Sequence, residues 1–520
     1  MTIFKGNPFH PDLNAPLYQQ IYTHLQTAIL SGELTGGTKL PSTRALADEL
    51  GVSRNTILNA YRQMTAEGYL ESSEGSGTFV ARVLPDLLLT PQNHDTPQNH
   101  IEPSQPTFSD HARAQMELSR TSVSLPIVRT PRLLSPDAPA LDAFPFKVWS
   151  RLVIKQAKHM SEKNYGYQDA AGYRPLREAI AAHVTVSRQV HCTPEQIVIV
   201  SGSQGALDLT SRMLLNAGDS VWLEDPGYFG ARGAFIGAKA HIVPVPIDRE
   251  GMIVEEGIAR APKARLAYLT PSHQYPLGVT MSLARRLAIL DWAKRANAYL
   301  LEDDYDSEYR FAERPLAALQ GLDDAGRVIY IGTFSKVLFP SLRIGYLILP
   351  PPLVDPFLTV RRHLDMHAPV LEQAALADFI AEGHFARHLR RMRILYAERR
   401  ATLLKAVSEL PLEMDSPQAG LRCIGWLPEG MDDRAVARKS AEHGLGILPI
   451  SGFCLEPLAR KGLLLGYGGY KTLEIKDGVR RLKAVRNPCK SNEECCDIHV
   501  VVPHHQLLFG GCEAVPLFNQ

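Results

Sequence analysis

The chain lacks the features that would take it into a membrane or out of a cell. No uninterrupted apolar run in its 520 residues approaches the ~18 needed to span a bilayer. The N-terminal stretch MTIFKGNPFHPDL has none of the basic-then-apolar layout of a secretory leader. Cysteine is scarce, seven in all, and Cys192, Cys423 and Cys454 stand singly, which excludes a disulfide framework there and suits a reducing cytoplasm. A dominant charge is missing too. The formal net charge is +1, so bulk electrostatics select no partner. With 45% hydrophobic and 21% charged residues the composition is that of a globular protein, and the length suggests about two to four domains.

What is present falls into three textures. Residues 11–82 carry dense helix punctuation. Leu17, Ile21, Leu25, Ala28 and Ile29 lie on one helical stripe that ends at Gly32. Ser42 predicts a cap for TRALADEL, which stops at Gly51, and Ser53 a cap for RNTILNAYRQMTAE, which stops at Gly68. Two β-prone runs around a Gly-Ser-Gly turn in YLESSEGSGTFV predict a hairpin. Three helices and a hairpin make a winged helix-turn-helix. Residues 83–142 are rich in Pro, Asn, Gln and His, repeat PQNH at 91–94 and 97–100, lack periodicity, and read as a flexible linker. From 143 to 486 short apolar runs (QIVIVSG, SVWLEDP, RLAYLTP, AYLLEDD, RVIYIGT) alternate with long helices. That is the rhythm of a parallel α/β sheet, whose ligand sites lie at strand carboxyl ends.

The unusual polar residues all follow those strands. After QIVIV come Gly202, Ser203 and Gln204, where a helix N-terminus can present free N–H groups to an anion. After SVWLEDP comes Tyr228, able to stack on a flat ring. His273 sits in the loop SHQYPLG. Asp303 ends AYLLEDD and, as a carboxylate closing an apolar strand, calls for a cationic partner; Tyr305 follows it. After RVIYIGT come Ser335, Lys336 and Arg343. Singly, each has an ordinary structural reading. In this order, and together with YGYQDAAGYRPLREAIAAHV at 165–184, they resemble the fold-type-I aminotransferases that bind pyridoxal 5′-phosphate (PLP). The resemblance implies that Lys336 holds PLP as a Schiff base, and that Asp303 pairs with the pyridinium nitrogen. It also implies that Tyr305 and His273 bond the 3′ oxygen, and that Tyr228 stacks on the ring. Ser203, Gln204, Thr333, Ser335 and Arg343 would surround the phosphate. Tyr165 would reach a neighbouring subunit's cofactor.

The first texture, notably LPSTRALADELGVSRNTILNAYRQMTAEGYLESSEGSGTFV, resembles the GntR-type winged helix. By that resemblance the helix over 54–64 enters the major groove of double-stranded DNA with Arg54, Asn55 and Thr56 at its start. Ser42 and Arg44 would grip the backbone, and Gly77 would let the wing approach a phosphate. Residues 1–80 hold five basic against seven acidic residues, a net of −2, and Glu74 stands in the wing where relatives often carry a basic residue. Weak monomer affinity and dependence on dimerisation are therefore expected.

A GntR-like head, a long linker and an aminotransferase-like body resemble the MocR/GabR-type regulators. The resemblance implies head-to-tail homodimers, operators with repeated half-sites, and a small-molecule effector sensed at the PLP site. Leu464, in KGLLLGYGG, stands where an arginine that grips amino-acid carboxylates would be expected, with Arg232 as a possible substitute. This favours sensing over sustained transamination and leaves PLP itself as a possible signal. An active aminotransferase with an accessory head, and an inert dimerisation scaffold, stay as rival readings. The final stretch, 487–520, holds the other four cysteines in spacings that match no standard zinc pattern, and is expected to be an appended, disordered terminus.

Overall fold

The computed structural model describes residues 15–73, 77–83, 107–121, 132–311, 317–415 and 419–485. Glu74, most of the expected linker and the 487–520 tail lie outside the described residues. The chain divides into two compact units, Met1–Pro106 and Thr107–Gln520.

The first unit is a winged helix. Helices α1 (Leu17–Leu30), α2 (Thr43–Leu50) and α3 (Arg54–Ala66) are followed by strands β1 (Leu70–Ser73) and β2 (Gly77–Val80), paired antiparallel. The predicted stripe of α1 buries Ile21, Leu25, Ala28 and Ile29, while Leu17 at its outer end stays exposed. Ser42 and Ser53 cap α2 and α3 by accepting from the N–H groups of Ala45 and Thr56, both at 3.2 Å. Gly51 closes α2 in the left-handed region, φ +65°.

The second unit is built on an eight-stranded sheet in the order β3-β10-β9-β8-β7-β4-β5-β6. Its strands are β3 (Ile197–Val200), β4 (Ser220–Asp225), β5 (His241–Asp248), β6 (Gly251–Met252), β7 (Leu266–Leu269), β8 (Tyr299–Asp304), β9 (Val328–Thr333) and β10 (Gly345–Ile348). The five runs read from the sequence are β3, β4, β7, β8 and β9. Two strands depart from the parallel expectation: β10 runs antiparallel to both β9 and β3, and β6 folds back on β5. The 334–344 connection is too short for the crossover a parallel neighbour of β9 requires, so the chain turns back. That turn carries Lys336 and Arg343.

A smaller antiparallel sheet, β11 (Glu413–Met414), β12 (Arg422–Trp426), β14 (Gly462–Gly466) and β13 (Leu448–Pro449) in that order, packs with the helices His384–Val407 and Thr472–Val485. The expected linker through 142 needs correcting at its C-terminal part. A helix spans Asp110–Thr121, and Gln115 on it donates to the Gly233 carbonyl at 2.9 Å. Residues 132–142 are a strap fixed to the small sheet: Gly446 and Gly466 donate to the carbonyls of Leu133 and Leu134, both at 2.8 Å, and the Leu134 side chain is fully buried. Main-chain bonds hold this strap, so no side-chain period betrays it. Among the described residues no helix is long and apolar enough to cross a membrane, and no cluster of three potential metal ligands occurs.

Candidate ligand and cofactor site

The carboxyl ends of β3, β4, β7, β8 and β9 meet at a concave cleft of about 230 Å³, the place where open α/β sheets hold small ligands. Its floor is an anion cradle. The helix Gly202–Leu214 begins directly after β3 and points its first turn, with Ser203 and Gln204, at the cleft. Gly202 has φ +77°, and a Cβ there would come within 3.4 Å of the Arg343 guanidinium. Arg343 donates to the Ser201 carbonyl at 2.8 Å and lines the same floor. Across from it Thr333 accepts from the Ser335 N–H at 3.2 Å, while the buried Ser335 Oγ has no partner among the described residues. The Gln204 side-chain amide is turned to the Gly230 carbonyl, 3.1 Å away.

Strand alternation separates the two aspartates that end β8. Asp304 takes the cation: its carboxylate accepts from Arg188 Nε at 2.6 Å and from the Tyr330 hydroxyl at 2.7 Å. Asp303 faces the cleft instead. Its Oδ2 accepts from the Tyr268 hydroxyl at 2.8 Å, and its buried Oδ1 has no partner. Burial pushes the Asp303 carboxyl up to about 7 against the pull of the Tyr268 hydrogen bond. A carboxylate in this position is completed by an N–H cation, and among the described residues none lies within bonding distance of Oδ1. Tyr228 and Tyr268 form a wall, with ring centroids 6.4 Å apart and planes 29° off parallel.

Lys336 enters from the β9–β10 turn and donates to the main-chain oxygen of Asp137 at 3.2 Å. The cleft thus gathers Ser203, Gln204, Tyr228, Asp303, Tyr305, Thr333, Ser335, Lys336 and Arg343. It leaves out His273, whose expected place is corrected: its Nδ1 lies 2.9 Å from the Asp306 carboxylate, in a buried position that Gly420 leaves open behind Tyr305. Tyr275, two residues on, lines the cleft in its stead. The Tyr305 hydroxyl lines it too, but donates to the His273 carbonyl at 2.7 Å and accepts from Arg422 at 2.6 Å. Tyr165 is 72% exposed and outside the cleft of its own chain.

Besides Tyr275 and Pro340, three contributors were not read from the sequence. Tyr268 looked like a core residue of a buried strand, and Asp137 fell in the stretch taken for linker. Arg422 gave no local signal, because it reaches the lining residues Asp137 and Tyr305 from behind, through the pairing of β12 with β14, where Leu464 is fully buried among apolar neighbours. Arg232 does not line the cleft; burial pulls its pKa down against the attraction of Asp225.

In the first unit Arg44, Arg54 and Asn55 are exposed at the starts of α2 and α3, with Arg54 Nε donating to Thr43 Oγ1 at 3.3 Å. Ser42 and Thr56 take part in the caps. Gly77 has φ +112°, and a Cβ there would meet the Lys39 side chain at 3.0 Å, so Lys39 lies along the base of the wing.

Fold and site define a winged-helix unit followed by a body with the fold of PLP-dependent aminotransferases. The profile of bacterial regulatory proteins of the gntR family matches residues 17–80, and that of aminotransferase class I and II matches residues 140–461. The chain belongs to the MocR-type transcriptional regulators, DNA-binding proteins that join these two domains. It is 40% identical over 477 residues to the "Probable rhizopine catabolism regulatory protein MocR" of Rhizobium meliloti, covering 91% of this chain and 94% of that protein. It is 31% identical over 471 residues to the pyridoxine biosynthesis regulator PdxR of Corynebacterium glutamicum, covering 89% and 94%. Among solved structures, an archaeal alanine:glyoxylate aminotransferase matches with a TM-score of 0.64 and 30% identity, over 73% of this chain and 95% of that one. The kynurenine aminotransferase of Pyrococcus horikoshii matches with a TM-score of 0.63 and 26% identity, over 75% and 98%.

Proposed function

We propose that the body binds PLP in this cleft, senses PLP or a small amine there, and thereby sets how the winged helices engage repeated half-sites of an operator. Bound PLP supplies an electrophilic carbon and an electron-withdrawing ring. Lys336 would hold the cofactor through its amine. Asp303 Oδ1 would accept from the pyridine N–H, and the Tyr268 hydroxyl keeps the carboxylate aimed. The Gly202–Leu214 N-terminus, Thr333, Ser335 and Arg343 would bind the phosphate, and Tyr228 would cover one face of the ring. The observation that carries this reading is the unpartnered Asp303 Oδ1 in the same cleft as Lys336.

The assembly is a head-to-tail homodimer in which the exposed Tyr165 of one chain serves the partner's cleft. Occupancy biases the heads by linkage: a ligand shifts the DNA equilibrium only by its differential affinity for the two arrangements. Sustained transamination is not the output, because Leu464 leaves the expected carboxylate-binding position without a charge.

Visible absorption of the full-length protein after PLP loading and desalting tests the site. Wild type retains a stoichiometric pyridoxal chromophore and Lys336→Ala loses it. Equal retention by both would overturn the site assignment, and multiple turnovers with amino donors would restore the aminotransferase reading.

A further inference from the structure

Two carboxylates line the cleft, and the cofactor reading uses only Asp303. Asp137 is left over, and its geometry is unusual. It has φ +63°, the left-handed region that favours glycine, yet it carries a side chain that is 6% exposed. That carboxylate forms an ion pair with Arg422 at 2.5 Å and bonds the Tyr275 hydroxyl, while its main-chain oxygen takes the Lys336 amine. Arg422 is 2% exposed and enclosed: Tyr275 and Tyr305 lie with ring centroids 4.4 and 5.4 Å from the guanidinium carbon, and Asp306 is 3.9 Å away. The arginine linked to Lys336 through Asp137 therefore already has its anion. Arg343, the guanidinium that lines the cleft itself, is committed to the Ser201 carbonyl and the anion cradle.

A ligand carboxylate brought beside Lys336 would meet an occupied arginine and a buried negative charge of its own sign. Because that charge already neutralises Arg422, the pair offers an incoming carboxylate no net positive charge to offset the cost of its desolvation. We propose that Asp137 is a specificity-determining residue that stands in for a ligand carboxylate on Arg422, so that the effector accepted at Lys336 is a primary amine without a carboxylate rather than an amino acid. The inference rests on the reading of the cleft as a PLP site. It adds the chemical class of the effector.

The test uses full-length protein loaded with PLP and two matched probes, ethylamine and L-alanine, which differ by one carboxylate. Binding is read from the absorption change of the chromophore and by calorimetry. Wild type should bind ethylamine at least about tenfold more tightly than L-alanine, the worth of one charge-assisted contact. Asp137→Gly relieves the backbone and frees Arg422, and should reverse that preference. Asp137→Asn keeps the shape, removes the charge, and should shift it in the same direction. A second arm needs no cofactor: acetate should raise the thermal midpoint of cofactor-free Asp137→Gly and leave wild type unchanged. Equal binding of the two probes by wild type, or no acetate effect in the variant, overturns the inference. Failure to load PLP with a positive acetate arm would instead overturn the cofactor reading and keep the ion-pair role.

Discussion

Asp303 and Asp304 are adjacent in sequence and opposite in fate, because a strand turns them to different faces. Asp304 is neutralised by Arg188, whereas Asp303 is buried with one free oxygen, and its carboxyl and that of Glu224 are pushed up to about 7, chiefly by burial. An acid whose folded pKa is raised stabilises the fold fully below its unfolded pKa, near 4, and loses that contribution as pH rises through 7. The cofactor-free protein should therefore lose roughly 1.4 kcal/mol per pH unit per such group across this window. Thermal unfolding between pH 4 and 7 should show a shallower decline for Asp303→Asn than for wild type, and superimposable profiles would remove Asp303 from the account. At the cradle, Arg343→Ala should weaken PLP affinity about 10- to 100-fold by removing a charge-assisted donor, measured by equilibrium titration. The convergence of Lys336, Asp303 and Arg343 on one cleft was legible in the sequence because each ends or follows an apolar strand. His273 was misplaced by two residues, since a loop's sequence does not say which side chain turns inward. Asp137 and Arg422 could not be paired from sequence: 285 residues separate them, and only the strap's docking on the small sheet joins them.

Caps and periods made the helices of the first unit readable, and their energetics follow from the same residues. Ser53→Ala removes the acceptor for the Thr56 N–H and should destabilise the winged helix by about 1 kcal/mol. Gly77→Ala places a Cβ at φ +112° against Lys39 and should cost about 1 kcal/mol or more, read from the first unit's unfolding midpoint. The strap shows the limit of pattern reading. Residues 132–142 present Pro, Ser and Asp like a linker, yet their main-chain bonds and Leu134 bind them to the body. Leu134→Ala should destabilise the second unit by roughly 2–5 kcal/mol in denaturant titration, whereas a true linker residue would change nothing. Strand β10 was missed for a related reason. GYLI is short, and its direction is set by the length of the turn before it rather than by its composition.

At the scale of the whole molecule, one chain joins a winged helix to an aminotransferase-like body with a proposed PLP cleft, and the central claim is that the two communicate. The acidic head, net −2 over residues 1–80, makes a second copy of the reader valuable, because two half-site contacts compound where one is weak. The most direct measurement is binding of the full-length protein to DNA from upstream of its own gene, at fixed salt, with and without PLP. The account predicts sequence-specific binding whose affinity shifts on PLP loading in wild type and stays constant in Lys336→Ala. Specific binding that is identical with and without PLP and unmoved by small amines would contradict it, leaving the body as a scaffold for the heads.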